Sequence, residues 1–167
     1  MDGVTVLQPT LYLENLAAPW AVPRIVDDGV LAYPLPDDVA FPWVATDDVA
    51  VAVERATTQE APGWFALPGI AATGREIADA IGAVLGRAVR WQTIRPDEYG
   101  DMLRPHLGDH AADGVAAVYR NLAATPSVPA PDPALAREAL DWVPRDAAAW
   151  ARQAPAFTHV VVAGPCR

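Results

Sequence analysis

Two histidines four positions apart are the most conspicuous chemistry-bearing pair in the sequence. His106 and His110 flank Leu-Gly-Asp, directly after Pro105. Histidines at this spacing on one helix can bind a metal ion, but Gly108 between them predicts a break, with Asp109 as the N-cap of the next helix. We therefore expect a solvated helix–helix turn and no metal site. Because histidine titrates near neutrality, both side chains remain candidates as an acid/base pair.

Acidic pairs and tryptophans supply further candidates. Three aspartate pairs (27–28, 37–38 and 47–48) stand at predicted turns or at a helix start, where Asp is the expected residue, so we assign them structural roles. Six tryptophans indicate either an aromatic-lined cavity or a dense core. We take Trp20, Trp43 and Trp64 as candidate cavity walls.

Composition limits the classes of function. The net charge of −9 and the pI of about 4.6 argue against nucleic-acid or anionic-membrane partners. All 12 basic residues are arginine, which excludes a P-loop, Schiff-base chemistry and a Tyr-Lys reductase pair. The single cysteine, Cys166, excludes a disulfide framework. Without an apolar run of about 20 residues or a leader-like segment, the sequence predicts a soluble cytoplasmic protein.

The periodicity predicts a mixed α/β or α+β fold. Strands are expected at 4–8, 30–34, 41–45, 64–67 and 89–94, separated by helices. One helix is expected over 13–21, and another begins at Thr46 as a capping hydroxyl. A helix from Pro96 is interrupted at Pro105, and helical spacing turns Tyr99 and Tyr119 inward. The first strand ends at Pro9, which has no N–H to donate. Its partners must come from later in the chain or from another chain. We expect its open edge to be covered by a second copy, by a partner, or by residues 158–162 folding back.

Several short segments, taken in order, carry a family resemblance. They are Leu7–Thr10 with Tyr12–Asn15, Asp48–Ala50, Trp64–Gly69 followed by the Thr73–Glu76 capping box, Leu85–Val89, and Trp142–Arg145. Together they resemble the NmrA-like, isoflavone-reductase-like group of atypical short-chain dehydrogenases. The resemblance runs from about Val4 to Phe157.

The resemblance implies the C-terminal half of such a protein, with a truncated Rossmann-like fold. It predicts one substrate-binding domain over residues 1–157, followed by a tail over 158–167. The family's other half carries the glycine-rich turn that cradles the cofactor pyrophosphate. Gly63, Gly69 and Gly74 do not have that spacing. We therefore expect no cofactor on this chain alone, and NAD(P) only where a separate nucleotide-binding half is supplied.

The resemblance also implies a location for the substrate. In the family, the loop after the first strand and the next helix form the pocket floor, which here means Pro9, Thr10, Tyr12 and Asn15. Tyr99 and Tyr119 would lie on the two helices that cover the pocket. The alternative for the tyrosines is core packing, and for Asn15 the capping of loop backbone. Asn15 joins the histidines as a candidate catalytic residue, because a buried amide must be hydrogen-bonded and can meet a ligand carbonyl.

Three hypotheses of function follow. The chain binds a small hydrophobic metabolite and acts only with a nucleotide-binding partner half. The partners expected are this metabolite and either a complementary nucleotide-binding chain or a second copy in a homodimer. Alternatively it is a stand-alone, non-redox enzyme of secondary metabolism, of the isomerase or cyclase type, that uses the retained pocket. The third hypothesis is a regulatory or interaction module without catalysis.

Overall fold

The structure, a computed structural model, describes residues 3–124 and 130–162, with side chains described as far as residue 158. The strands are β1 (Thr5–Pro9), β2 (Leu11–Tyr12), β3 (Val30–Tyr33), β4 (Phe41–Val44), β5 (Gly63–Leu67), β6 (Ile70–Ala72) and β7 (Arg90–Thr93). The α-helices are α1 (Val22–Asp28), α2 (Thr46–Thr58), α3 (Gly74–Leu85), α4 (Pro96–Leu107), α5 (Asp109–Ala123), α6 (Ala134–Leu140), α7 (Ala147–Gln153) and α8 (Pro155–Val162). A 3-10 helix over Leu13–Ala17 follows β2.

The strands form three small sheets flanked by helices. β1 pairs in parallel with β5, from Thr5 opposite Gly63 to Pro9 opposite Leu67. β3 pairs in parallel with β7. In the third sheet, β4 is parallel to β2 and antiparallel to β6. This is the predicted α/β class, and all five predicted strands are present.

The β1–β5 sheet is covered on one face only. Alternation along the strands turns Leu7, Phe65 and Leu67 toward α2 and α6, and the last two are almost completely buried. On the opposite face Gln8 is exposed and Trp64 is 65% exposed. Parallel sheets normally have both faces covered, so this open face is unusual for the fold.

Two apolar clusters form the core. The larger one surrounds Tyr33 and is contributed by β3, β4 and most of the helices. The smaller one lies under the β1–β5 sheet and contains the fully buried Trp142. Asp48 in α2 holds the Trp142 segment: its carbonyl oxygen accepts from Trp142 Nε1 at 2.8 Å. Its carboxylate accepts from Arg145 Nε at 2.8 Å and from the Arg145 backbone N–H at 2.9 Å.

Local turn chemistry agrees with the sequence at several helix ends. Thr73 and Glu76 form the predicted capping box at the start of α3. Gly86 ends that helix in the left-handed region, with φ +65°. Pro96 is in the first turn of α4, as its fixed φ favours.

Other local predictions were wrong. The helix expected over 13–21 is a 3-10 helix that stops at Ala17, and α1 starts only at Val22. Thr46 is not a capping hydroxyl; its backbone N–H donates to Glu14 Oε2 at 3.0 Å. Pro105 does not interrupt α4, which continues to Leu107.

The end of the chain also differs from the expectation. Residues 155–162 form α8, which packs on α1, α3 and α7. The segment 158–162 therefore does not fold back onto the edge of β1, and the expected tail boundary falls inside a helix. The rest of that tail, 163–167, lies outside the described residues.

Candidate functional site

A cavity of about 230 Å³ opens between the 3-10 helix and the hairpin made by α4 and α5. It contains four of the side chains that the sequence nominated. The lining residues are Asn15, Trp20, Tyr99, Leu103, Leu107, Val115, Val118 and Tyr119. Leu107 and Val118 are 44% and 55% exposed, which places the mouth of the cavity at the surface.

The hairpin presents this lining because both helices are amphipathic. On α4, Tyr99, Leu103 and Leu107 recur every four residues and so share one face. On α5, Val115, Val118 and Tyr119 do the same at spacings of three and four. The two helices meet at Gly108, whose φ of +77° makes the sharp turn.

An arginine fixes the hairpin from outside. Arg104 contacts Asp101, Asp109 and Asp113 at 3.4, 3.1 and 3.0 Å, and these carboxylates come from both helices. Close to the cavity, a Cβ placed on Gly100 would lie 3.0 Å from the Ala116 side chain, so the helices pack tightly. The hairpin is thus a fixed wall for the cavity.

Tyr99 and Tyr119 form the floor of the cavity, and a third tyrosine, Tyr33, packs behind them. Tyr33 is 1% exposed, and its ring lies 5.0 Å from that of Tyr99 and 5.4 Å from that of Tyr119. The Tyr33 and Tyr119 hydroxyls are hydrogen-bonded to each other. Trp43 and Trp91 pack against Tyr33 with ring centroids 5.6 and 5.5 Å away. The floor is therefore apolar apart from its hydroxyl groups.

Burial disfavours the ionised form of these phenols. It is the main cause that raises the pKa of Tyr33 well above its ordinary value, and the neighbouring Tyr119 and Tyr99 raise it further. The side chain of Asn15 opposes this by lowering the pKa of Tyr33. Burial likewise raises the pKa of Tyr99 and that of Tyr119. At neutral pH the cavity floor therefore offers hydroxyl groups and no phenolate.

The indole N–H of Trp20 lacks an acceptor. Its Nε1 is buried and has no hydrogen-bond partner among the described residues. It lies close enough to the Tyr99 hydroxyl to offset part of the rise that burial causes in the pKa of Tyr99, but outside hydrogen-bond geometry. An indole nitrogen can only donate. The cavity thus contains a buried donor with nothing to donate to.

The histidines stand outside the lining. His106 is exposed at the end of α4, and its ring lies 5.6 Å from the Trp20 ring, tilted by 53°. His110 is exposed in the first turn of α5. A break does separate them, as expected, so they do not share one helix face.

The remaining nominated residues lie elsewhere. Pro9 is paired with Leu67 in the β1–β5 sheet, and Thr10 Oγ1 donates to the Pro68 carbonyl oxygen at 2.9 Å. Tyr12 packs against the smaller core cluster. Trp43 is buried and donates from Nε1 to the Ala72 carbonyl oxygen at 3.2 Å. The structure also adds Tyr33, which the sequence marked only as part of a buried strand.

A second cavity of about 450 Å³ lies on another side of the 3-10 helix. Its polar side chains are engaged with one another. Glu14 accepts from the Thr46 backbone and from Trp150 Nε1, while Arg145 contacts Asp47 and Gln153. These bonds hold α2 to α7, which gives the polar groups of this cavity a structural role.

The helix starts do not fit a cofactor pyrophosphate. The four described helices of more than ten residues, α2, α3, α4 and α5, each carry a carboxylate in the first turn. A phosphate there would meet like charge where a nucleotide site needs free N–H groups.

Among the described residues there is also no group of three or more His, Cys, Asp or Glu that could hold a metal ion. No helix of the described part is long and apolar enough to cross a membrane.

Comparison with known proteins gives a fold. No family model matches the sequence, and no curated protein matches it significantly. A solved structure does: a nucleoside-diphosphate-sugar epimerase from Staphylococcus aureus, with a TM-score of 0.65 at 16% identity. This chain has that epimerase's fold. The match covers 89% of this chain and 51% of the epimerase chain, so the sequence spans about half the length of its structural neighbour.

Proposed function

We propose that this chain is a small-molecule-binding domain that holds an apolar metabolite in the cavity of the α4–α5 hairpin. The observation that carries the proposal is the cavity lining: four aliphatic and three aromatic side chains with a few convergent polar groups, open to solvent at Leu107 and Val118. This is the usual chemistry of a ligand site. Its volume suits a ligand of about one substituted ring, since a cavity of roughly 150 Å³ holds benzene.

Titration with toluene tests this proposal. Binding should shift the methyl NMR signals of Leu103, Val115 and Val118. Val115→Phe should fill the cavity and remove the response. Val53→Phe, an equal change at an exposed position of α2, should leave it intact. Toluene shifts that persist unchanged in Val115→Phe would place the ligand elsewhere and refute the assignment.

We further propose that any redox activity needs a nucleotide-binding partner, related to the NmrA-like reductases that the sequence resembles. The epimerase neighbour supports this, because about half of its length has no counterpart here. The open face of the β1–β5 sheet and the unpaired edge of β1 are suited to receive such a partner. Calorimetric titration of the chain with NADPH should give no heat of binding. Saturable binding of NADPH to this chain alone would overturn the proposal that a nucleotide-binding partner is needed.

A stand-alone enzyme of isomerase or cyclase type is the second candidate. The observation in its favour is that neutral phenols line a cavity built from this chain alone, where they can hydrogen-bond to a developing charge on a ligand oxygen. With hydroxide or buffer as the base that takes the methyl proton, and the phenols hydrogen-bonded to the enolate oxygen, such a site should accelerate exchange of the acetophenone methyl protons with D₂O. If the methyl protons exchange no faster with the protein than in buffer alone, this candidate is removed. The binding proposal would then describe a regulatory or carrier protein.

A further inference from the structure

One hydrogen-bonding group of the cavity lacks a partner among the described residues. Trp20 Nε1–H has no acceptor among the described residues. The hydroxyls of Tyr33 and Tyr119 are engaged with each other, with the Asn15 side chain beside them. A buried donor without an acceptor loses its hydration and gains no bond in return, which is unfavourable. A ligand that brings an acceptor oxygen to Trp20 would recover that cost.

The lining also lacks charge. The lining side chains are aliphatic, aromatic or amide groups, and none of them is charged at neutral pH. The arginines of the hairpin are committed outside it, Arg104 to three aspartates and Arg120 to Asp97. An anionic ligand would thus lose its hydration without gaining a cation.

We infer that the ligand is a neutral molecule of about one ring that carries a carbonyl-type oxygen, and that Trp20 Nε1–H donates a hydrogen bond to this oxygen. This inference rests on the proposed function, since it names the ligand class for the same cavity. Tyr99, whose hydroxyl lies near the indole nitrogen, is placed to support the same oxygen as a second donor. The His106 ring packs against the Trp20 ring, with centroids 5.6 Å apart.

A matched set of ligands tests the class. Acetophenone carries the carbonyl, α-methylstyrene replaces it with a carbon–carbon double bond in the same shape, and benzoate replaces the methyl ketone with a charge. Calorimetry at neutral pH should show acetophenone binding roughly 5- to 10-fold tighter than α-methylstyrene, the effect of one hydrogen bond. Benzoate should bind more weakly than either.

The variant Trp20→Phe separates the hydrogen bond from packing. It should reduce the preference for the ketone to about 1-fold and leave α-methylstyrene binding largely unchanged. Trp64→Phe, on the open sheet face, is the matched tryptophan control and should keep the wild-type preference. Near-ultraviolet circular dichroism checks that both variants remain folded. The comparison of ligands on the wild-type chain holds even if Trp20→Phe does not fold.

The outcomes distinguish the two proposals. Equal affinities for acetophenone and α-methylstyrene would overturn the carbonyl assignment and leave the cavity as an apolar site. Tighter binding of benzoate would overturn it as well. If neither neutral ligand binds, the cavity is not a ligand site, and the proposed function fails together with this inference.

Discussion

The hydroxyl of Tyr33 in β3 is hydrogen-bonded to the hydroxyl of Tyr119 in α5, 86 positions further along the chain. Both groups are buried, and burial raises the pKa of each. Because the chain has no lysine, little besides tyrosine, Cys166 and the terminal amine titrates between roughly pH 9 and 12. The alkaline behaviour of the protein should therefore report on this pair.

The first prediction concerns stability in alkali. The folded-state pKa values of Tyr33, Tyr99 and Tyr119 lie above the unfolded value of about 10, so at these sites the native state keeps protons that the unfolded state releases. The resulting stabilisation is complete below about pH 10 and is lost as the pH rises toward the folded-state pKa. The free energy of unfolding should fall by up to about 1.4 kcal/mol per pH unit for each such tyrosine.

Urea unfolding at several pH values from about 8 to 11 measures that slope. Tyr33→Phe should reduce the slope of the free energy of unfolding against pH by about the contribution of one tyrosine. Phe157→Leu changes the same core without removing a hydroxyl, and should lower stability while keeping the slope. An unchanged slope in Tyr33→Phe would show that Tyr33 does not control the alkaline transition.

A pair of glycines provides the second prediction. Gly69 has φ +68°, and a Cβ there would lie 1.7 Å from the Trp43 carbonyl oxygen. Gly69→Ala should lower the free energy of unfolding by about 3 kcal/mol or more. Gly114 is in the middle of α5 with nothing near its Cβ position, so Gly114→Ala should raise it by about 0.5–1 kcal/mol. Thermal unfolding should move in opposite directions for the two variants.

The third prediction concerns Asp48, which is 5% exposed and depends on Arg145 for its charge partner. Arg145→Met would leave the buried carboxylate uncompensated, and should cost about 3–5 kcal/mol. Arg75→Met removes an exposed pair with Asp37 and should change stability little. If Arg145→Met and Arg75→Met lower the free energy of unfolding by equally small amounts in chemical denaturation, then water replaces Arg145 at Asp48.

Backbone exchange at β1 gives the fourth prediction. The Gly63 N–H donates to the Val4 carbonyl oxygen, so in the parallel ladder the Val6 and Gln8 amides face β5. The Thr5 and Leu7 amides face the opposite edge. In the isolated chain Leu7 should exchange its amide hydrogen about 100-fold faster than Val6. Strong protection at Leu7 would show that the edge is already covered in solution, for example by a second copy.

The sequence predicted the elements that are long or strongly apolar. The five main strands and the helix that begins at the Thr73 capping box were found, because periodicity and capping are local signals. β2 and β6, of two and three residues, are too short to leave a pattern. α1 was missed because Asp27-Asp28-Gly29 resembles a turn; Gly29 is instead the left-handed residue that ends this seven-residue helix.

The candidate site divides in the same way. Helical spacing placed Tyr99 and Tyr119 on inner faces, and both line the cavity. Tyr33 could not be predicted as their partner, because nothing local connects a residue in β3 with one in α5. The unpaired Trp20 N–H is likewise a tertiary property, since it depends on which acceptors the folded chain brings near it.

The open face of the β1–β5 sheet also makes the chain an optical reporter. Trp43 and Trp142 are almost completely shielded from solvent, whereas the Trp64 indole is 65% exposed. The long-wavelength part of the tryptophan emission, which acrylamide quenches, should therefore come largely from that one ring. A partner that docks on this face should shift the emission to the blue and protect it from quenching, without any added label.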